Sequence, residues 1–296
     1  MKSILTPRQL ADAIGVSESS VKRWVDDGHI VATRTAGGHR RIAIQEATRY
    51  LRENGTVVVR PDMLGLDDVS ALAESENTTD SADERLFGYL KSGAAAEARG
   101  LIVSQYLEGS SVAEIVDGPI ASAMTKIGEA WASHRSGIFW EHRATQIAIQ
   151  SMIRLRLLLS PQEGGPVAVG CAPSGDRYIL PSLAVAAVLE GEGLRATNLG
   201  PETPLRSLAI GIEELDARLV WLSVSVTADL DSLRREIDEL VEGLAARRAI
   251  LVVGGSQASR LALPKSDSIY VGRSMAELEA LVQGMRLAPS SSPASA

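Results

Sequence analysis

The chain of 296 residues has little cysteine, few aromatic residues and no long apolar run, and each shortage excludes a class of protein. Its single cysteine, Cys171, excludes an intrachain disulfide and hence a small disulfide-stabilised fold. No uncharged apolar stretch approaches the ~20 residues that span a bilayer, and the first residues lack the apolar centre of a signal peptide. We therefore expect a cytoplasmic protein without a membrane partner.

The charge is distributed unevenly along the chain. Residues 1–60 hold ten Lys and Arg against six Asp and Glu, whereas the whole chain has a formal net charge of −7. If the chain binds a polyanion, the site is therefore expected in residues 1–60. A hydrophobic share of 45% beside 23% charged residues is typical of a globular protein. The length allows about two domains of ~150 residues each.

Two short helices joined by a glycine turn are predicted at the start of the chain. The stretch Thr6–Gln9 is a capping box with proline at the first helical position, and the helix that it starts breaks at Gly15. Ser17 caps a second helix over about residues 18–26. This arrangement is typical of a helix-turn-helix.

The stretch "RTAGGHRRI", Arg34–Ile42, predicts a hairpin with a glycine tip and a basic base. Such a hairpin is a wing, which can place cations against the phosphate backbone or the minor groove of DNA. The side chains expected to contact DNA are Ser19, Ser20, Lys22, Arg23, Arg34, His39, Arg40 and Arg41.

The stretches "SVKRWVDDGHI" and "RTAGGHRRI" resemble the recognition helix and the wing of MerR-family proteins. The resemblance implies that residues 1–60 are a winged helix-turn-helix domain that binds double-stranded operator DNA. A single module makes few contacts, so tight binding is expected to need a dimer or a larger assembly on repeated half-sites.

The middle of the chain divides into an acidic stretch and a helical region. Residues 61–83 are rich in Ser, Thr and Asp and lack periodicity, which predicts a flexible linker that lets the DNA-binding domain move independently. Apolar residues at helical spacing predict a four-helix bundle over 84–161, with helices near 84–92, 95–108, 111–134 and 139–160. The fold class is therefore multidomain.

Strand and helix patterns alternate over residues 166–287, which predicts a parallel, Rossmann-like (flavodoxin-like) sheet covered on both faces. Ligands of such sheets bind beyond the carboxyl ends of the strands, here in loops at 174–181, 223–227 and 254–256. Neither GxGxxG nor GxxxxGK[ST] occurs there, which disfavours a dinucleotide or a nucleoside triphosphate. Residues 288–296 are expected to be a disordered tail.

The spacing of these loops resembles that of cobalamin-binding domains, whose pattern is Asp-x-His-x-x-Gly, then Ser-x-Ser/Thr/Leu, then Gly-Gly. Here Asp176-x-Tyr178-x-x-Pro181 precedes Ser223-x-Ser225 by 41 residues, and Gly254-Gly255 follows after 28 more. In the helical region, Trp131 followed after nine residues by Glu-His matches the pattern with which related regulators cover adenosylcobalamin. The cofactor-binding residues that the resemblance implies are Trp131, Glu141, His142, Asp176, Tyr178, Ser223, Ser225, Gly254 and Gly255.

All three segments together resemble the CarH/LitR class of MerR-type, cobalamin-dependent photoreceptor repressors. The resemblance implies a cofactor-assembled tetramer that represses carotenoid genes in the dark and falls apart in light. The rival hypothesis is an enzyme subunit, such as that of a corrinoid methyltransferase or mutase. Corrinoid enzyme subunits have no need of a basic winged helix-turn-helix domain, so we expect a repressor that is not an enzyme.

Tyr178 stands where cobalamin-binding domains have their cobalt-ligating histidine. A phenol is a poorer metal ligand than a neutral imidazole because it must first lose its proton. Three outcomes stay open: cobalamin held without a protein ligand below the ring, another tetrapyrrole or small ligand, and a ligand-free domain kept for oligomerisation. The adjacent Glu141 and His142 are only a weak signal for zinc, so no metal site is expected.

Overall fold

The structure, a computed structural model, describes residues 3–75, 79–131, 137–160, 162, 164–227, 229–245, 247–264 and 266–285. The chain forms two compact units, Met1–Ser160 and Pro161–Ala296, which we call the first and the second unit. The predicted tail at 288–296 lies outside the described residues. Among the residues that are described, no helix is both long and apolar enough to cross a membrane.

The first unit begins with a small antiparallel sheet and three helices, which we call the head. Both predicted helices are confirmed: Thr6 and Gln9 cap each other at the first, with Oγ1 accepting at 3.2 Å and Oε1 accepting at 2.8 Å. Gly15 ends that helix at a φ of 72°, where other residues are strained. The elements are β1 (Ile4–Leu5), α1 (Pro7–Ile14), α2 (Glu18–Asp26), β2 (Thr33–Arg34), β3 (Arg40–Ala43) and α3 (Ile44–Glu53).

The acidic stretch after the head is folded, so the prediction of a flexible linker over 61–83 is wrong for residues 61–75. A 3₁₀ turn at Pro61–Leu64 leads into α4 (Asp67–Ser75). Asp68 is only 19% exposed, and its carboxylate accepts from Arg99 and Arg154, both at 3.1 Å. At least one acidic residue of this stretch, Asp68, therefore forms a half-buried ion-pair cluster and is not simply solvated. Residues 76–78 lie outside the described part.

Helices of the predicted bundle follow, and one of them is interrupted. The elements are α5 (Ala82–Ser92), α6 (Ala95–Leu107), α7 (Val112–Ile115), α8 (Ala121–Trp131) and α9 (Gly137–Arg156). The single helix predicted over 111–134 is interrupted near its start, over Val116–Ile120, because Gly118 has a non-helical ψ of −105° and Pro119 lacks an amide hydrogen. Residues 132–134 lie outside the described part. Helix α4 packs closely against α6 and joins the bundle as an additional helix.

The head is docked on these helices, so the expectation that it moves independently is also wrong. Val103 of α6 and Leu158 belong to the same buried cluster as the core of the head. Arg52 of α3 stacks over the Tyr106 ring at 3.8 Å and donates to the Ser110 carbonyl at 2.9 Å. Gln45 donates to the Leu157 carbonyl at 3.0 Å. The domain that carries the wing and α2 is therefore packed against the helices that follow it in the first unit.

The second unit is the predicted parallel sheet. Its strands lie in the order β5-β4-β6-β7-β8, and every pairing is parallel. The order reverses at β4, between β5 and β6, which is the position where such sheets bind ligands. The elements are β4 (Val167–Cys171), α10 (Leu180–Gly191), β5 (Arg195–Asn198), α11 (Leu205–Leu215), β6 (Leu219–Ser223), α12 (Leu230–Ala245), β7 (Ile250–Gly254), β8 (Ile269–Val271) and α13 (Met275–Gly284).

The two faces of this sheet are packed differently. Val169, Cys171 and Val220 face a large aliphatic core built with α11 and α12. The α10 side of β4 and β6 carries small residues together with Leu219 and Trp221, which are 0% and 1% exposed. A Cβ on Gly170 would lie 2.1 Å from the indole of Trp221, so only glycine fits beneath that ring.

Candidate DNA-binding surface and ligand edge

The N-terminal part of helix α2 presents short polar groups and cations. Ser17 Oγ caps the helix by accepting from Ser20 N at 3.1 Å, and it lies 2.8 Å from Ser19 Oγ. Lys22 pairs with Glu18 at 2.8 Å in solvent. Arg23 is exposed and has no ion pair with any residue that the structure describes. This surface can therefore offer hydroxyl donors and a free guanidinium to DNA.

The wing is a tight hairpin between β2 and β3. Thr35 accepts from the Gly38 amide at 2.8 Å, and Gly38 has a φ of 78°, so a glycine is needed at the tip. His39 is exposed beside the turn. Arg34 and Arg41 lie on the two paired strands, and Arg41 Nη1 donates to the Arg40 carbonyl at 3.1 Å.

Arg40 has a structural partner inside the head. Its Nη2 donates to both oxygens of Asp26 at 2.6 and 2.7 Å, and Arg34 reaches the same carboxylate at 3.3 Å. Donation from Arg40 lowers the pKa of Asp26, so the pair is charged at neutral pH. The side chain of Arg40 is 21% exposed. Arg40 therefore fixes the wing against the end of α2, a role that the basic pattern alone does not reveal.

At the carboxyl ends of the strands, the loops at 172–179, 199–204, 224–227 and 254–257 form what we call the ligand edge. Asp176 is fully buried at its centre. One oxygen accepts from Tyr178 N at 3.0 Å, and the other accepts from Ser225 N at 2.6 Å and Val226 N at 3.2 Å. The carboxylate thus clamps the loop after β4 to the loop after β6.

A second carboxylate, which sequence reasoning missed, braces the same loop. Glu202 accepts from Gly175 N at 2.6 Å and from Arg177 Nε at 2.9 Å, and its own amide donates to the Asp176 carbonyl at 2.9 Å. Its φ is 54°, in the left-handed region. The sequence signal for Glu202 was its position in the loop after β5, since that strand ends at the same edge of the sheet.

The predicted serines and glycines close the other side of the edge. Ser223 is buried, Ser225 is half-buried, and the Ser225 carbonyl accepts from Ser256 Oγ at 2.8 Å. Gly254 O accepts from Val224 N at 2.8 Å. Gly255 has a φ of 98°, and a Cβ there would lie 2.4 Å from the Val224 carbonyl oxygen. Only glycine permits this close approach of two loops.

An exposed apolar rim surrounds these polar clamps. Tyr178 is 55% exposed and Ile179 40%, while Leu199 and Val226 on the neighbouring loops are 39% and 41% exposed. Clustered exposed apolar side chains around backbone polar groups are typical of a ligand-binding surface. The ligand edge therefore combines exposed apolar side chains with loops that come close through glycine.

The residues predicted in the helical region lie in the first unit. Glu141 and His142 lie near the start of α9, where Glu141 is 32% and His142 75% exposed, and their side chains are 3.4 Å apart. The side chain of Trp131 lies outside the described residues. Within the described residues, no group of three His, Cys, Asp or Glu side chains could hold a metal ion.

Glu202→Gln is expected to destabilise the second unit at neutral pH. The Gly175 amide and Arg177 lower the folded-state pKa of Glu202 below 4.5, so its ionised form stabilises the fold above pH 4.5. This contribution is lost as the pH falls through the lowered pKa. Thermal unfolding of the variant and the parent between pH 3 and pH 8 measures the difference, which should shrink toward acid pH.

Glu192→Gln is the matched control, because it should act with the opposite sign. Burial, together with the nearby Glu279, raises the pKa of Glu192, so its ionised form costs stability above the raised pKa. This variant should unfold at a higher temperature than the parent at neutral pH. Equal effects of the two substitutions across the pH range would contradict both assignments.

The chain is similar to known proteins both in the head and in the region after it. Residues 4–55 match the family model described as a helix-turn-helix domain. The HTH-type transcriptional repressor CarA of Myxococcus xanthus is 24% identical over 270 residues, which cover 85% of this chain and 91% of CarA. Dimethylamine corrinoid protein 2 of Methanosarcina mazei is 23% identical over 155 residues, covering 50% of this chain and 71% of that protein.

A solved structure, the monomethylamine corrinoid protein of Methanosarcina barkeri, aligns with 69% of this chain and 98% of its own. The TM-score is 0.53 at 16% sequence identity, which establishes a likeness of fold. The chain therefore contains a helix-turn-helix domain in residues 4–55, is similar in sequence to an HTH-type transcriptional repressor and to corrinoid proteins, and has the corrinoid-protein fold after that domain.

Proposed function

We propose that the chain is a DNA-binding transcriptional repressor whose second unit binds a corrinoid at the ligand edge and thereby controls self-association. The observation that carries the proposal is the joining of a helix-turn-helix domain to a corrinoid-protein fold in one chain. The similarity to CarA over 85% of the chain supports this order of parts. Its operator, on this proposal, has repeated half-sites that a dimer or tetramer occupies.

The proposed DNA-binding residues divide into contacts and supports. Ser19, Lys22 and Arg23 on α2, with His39 on the wing, are exposed and suited to direct contact. Ser20, Arg34 and Arg41 are proposed as further contacts at the ends of the same elements. Arg40, held by Asp26, sets the angle of the wing.

Arg23→Ala is expected to lower the affinity of the intact protein for its own promoter DNA by about tenfold or more. It should also reduce the slope of log affinity against log salt by about 1, because one cation fewer displaces counterions. Gel retardation at several salt concentrations measures both quantities. Arg273→Ala, which removes an exposed arginine of the second unit, should change neither. No retardation of promoter DNA by the parent at low salt would refute the proposal.

The residues proposed to hold the corrinoid are those of the ligand edge. The ring would lie on the apolar rim, with the amides of the loops held by Asp176 and Gly255 beneath its polar side chains. A bound alkylcorrinoid supplies a cobalt–carbon bond that light can break. In the first unit, Glu141, His142 and Trp131 are proposed as cofactor contacts on the sequence pattern alone, and His142→Ala tests this by its effect on corrin retention.

Ile179→Asp is expected to reduce corrinoid retention strongly without unfolding the second unit, since the side chain is already 40% exposed. A charge in the rim would have to be desolvated when a flat apolar ligand covers it. The protein is purified in the dark with adenosylcobalamin, and retained corrin is read from its absorbance.

Leu215→Asp is the matched control, because Leu215 is 38% exposed and ends α11, at the opposite edge of the sheet. This variant should retain the same amount of corrin as the parent.

Self-association of the parent is measured by its size before and after illumination. The corrin-loaded form should be larger than the apo form. A drop in mass on illumination would extend the proposal to light sensing.

The alternative is a corrinoid carrier subunit of a methyltransferase, favoured by the 155-residue similarity to dimethylamine corrinoid protein 2. A carrier has no need of the head, whereas the head here is packed onto the helical region through Val103 and Leu158. Retardation of promoter DNA by the intact chain separates the two functions, because a carrier should not bind DNA specifically.

A further inference from the structure

The ligand edge offers no side chain suited to bind cobalt, and this restricts how it can hold the proposed cofactor. Resting on the cofactor part of the proposed function, we infer that the second unit binds cobalamin with the cofactor's own dimethylbenzimidazole base still on cobalt. Cobalamin carries this base on a flexible nucleotide arm, and the base leaves cobalt when a protein ligand replaces it. Three features of the second unit argue against such a replacement.

The first feature is the set of available donors. All four histidines, at 29, 39, 134 and 142, precede the second unit, which therefore holds no imidazole. Cys171 is fully buried on the α11 face, and burial raises the pKa of its thiol to about 12, so no thiolate is available. Tyr178 is the exposed phenol at the edge, and a phenol ligates a transition metal well only after it loses its proton.

The second feature is the use made of Asp176. A carboxylate beside a metal-ligating histidine commonly accepts from the outer ring nitrogen and so orients the imidazole. Here the two oxygens already accept three backbone amides, those of Tyr178, Ser225 and Val226. Asp176 thus joins two loops through backbone amides, and the second unit holds no imidazole that it could orient.

The third feature is the packing of the layer between the sheet and α10, directly behind the ligand edge. The indole of Trp221 fills it, and its Nε1 donates to Ser182 Oγ at 3.0 Å. Ser182 in turn donates to Asn198 Oδ1 at 2.9 Å, so the buried polar atoms already have partners. A Cβ on Gly170 would already meet the ring at 2.1 Å. The layer between β4 and α10 therefore has no room for a nucleotide base.

Electron paramagnetic resonance of bound cob(II)alamin tests the inference directly. The intact protein is expressed with uniform ¹⁵N labelling and loaded in the dark with unlabelled hydroxocobalamin, which is then reduced. A single axial ¹⁴N splits each cobalt line into a triplet, whereas an axial ¹⁵N splits it into a doublet. The inference predicts a triplet, because the only axial nitrogen comes from the cofactor.

Any signal other than a triplet contradicts base-on binding or the cofactor function itself. A doublet, from His142 or any other nitrogen of the protein, overturns the inference while leaving corrinoid binding intact. Loss of nitrogen splitting also overturns it, since the base has then left cobalt. Loading with cobinamide, which lacks the base, should remove the splitting, and a doublet there likewise contradicts the inference. If no corrin is retained at all, the proposed cofactor function itself fails.

Discussion

Replacing Asp176 by alanine is expected to destabilise the second unit by about 3 kcal/mol and to abolish corrinoid retention. The carboxylate is fully buried and accepts from three backbone amides on two loops. Alanine leaves these donors without their acceptor, and each unsatisfied buried amide costs about 1–3 kcal/mol. The estimate is below the full sum because Val226 is exposed and water can reach its amide.

Urea unfolding followed by circular dichroism measures the loss as a shift of the transition that belongs to the second unit. Asp176→Asn keeps the shape and one acceptor oxygen, so it should lose less than alanine. Tyr178→Phe removes only an exposed hydroxyl and should leave the transition unchanged. If alanine at position 176 unfolds at the parent urea concentration, the clamp between the loops is not what holds the ligand edge.

Gly100→Ala is expected to destabilise the first unit by about 3 kcal/mol or more, because the added methyl group has no room. A Cβ on Gly100 would lie 2.2 Å from the Asp68 carbonyl oxygen and 2.8 Å from its carbon, and a backbone cannot rotate away as a side chain can. Helix α4 would have to move off α6, which would break the contacts of Asp68 with Arg99 and Arg154.

Gly128→Ala is the matched control in α8, where a Cβ would meet nothing within 4 Å. Alanine is favoured over glycine inside a helix by about 1 kcal/mol, so this variant should be neutral or more stable. Thermal unfolding of both variants compares them at once. Equal melting temperatures for Gly100→Ala and the parent would contradict the close packing of α4, and with it the folded state of residues 61–75.

Local signals in the sequence predicted most of the fold, and long-range contacts account for what they missed. The capping box at Thr6 and the alternation of strands and helices act within a few residues, so pattern alone places α1 and the parallel sheet. The prediction of a flexible linker failed because an aspartate in an acidic stretch, such as Asp68, is usually exposed to solvent. Its partners Arg99 and Arg154 lie 31 and 86 residues further along the chain.

For the candidate site, the sequence predicted which loops lie together but not the contacts that Asp176 makes. The strand ends predicted that the loops at 174–181, 223–227 and 254–256 lie together, because parallel strands end at one side of a sheet, and Asp176 and Ser225 are within hydrogen-bond distance. The spacing could not reveal that Asp176 binds backbone amides, since amides carry no sequence signal. In the head, the basic pattern marked Arg40 as a DNA contact, and only the structure reveals its pairing with Asp26.

Gel retardation of promoter DNA by the intact protein in the dark, across a titration of adenosylcobalamin, tests the proposed control of DNA binding by the cofactor. We expect salt-sensitive retardation whose affinity rises as the cofactor fills the second unit and assembles the protein on repeated half-sites. Retardation that is unchanged by the cofactor would contradict control through the ligand edge, and no retardation at low salt would contradict the DNA-binding function itself.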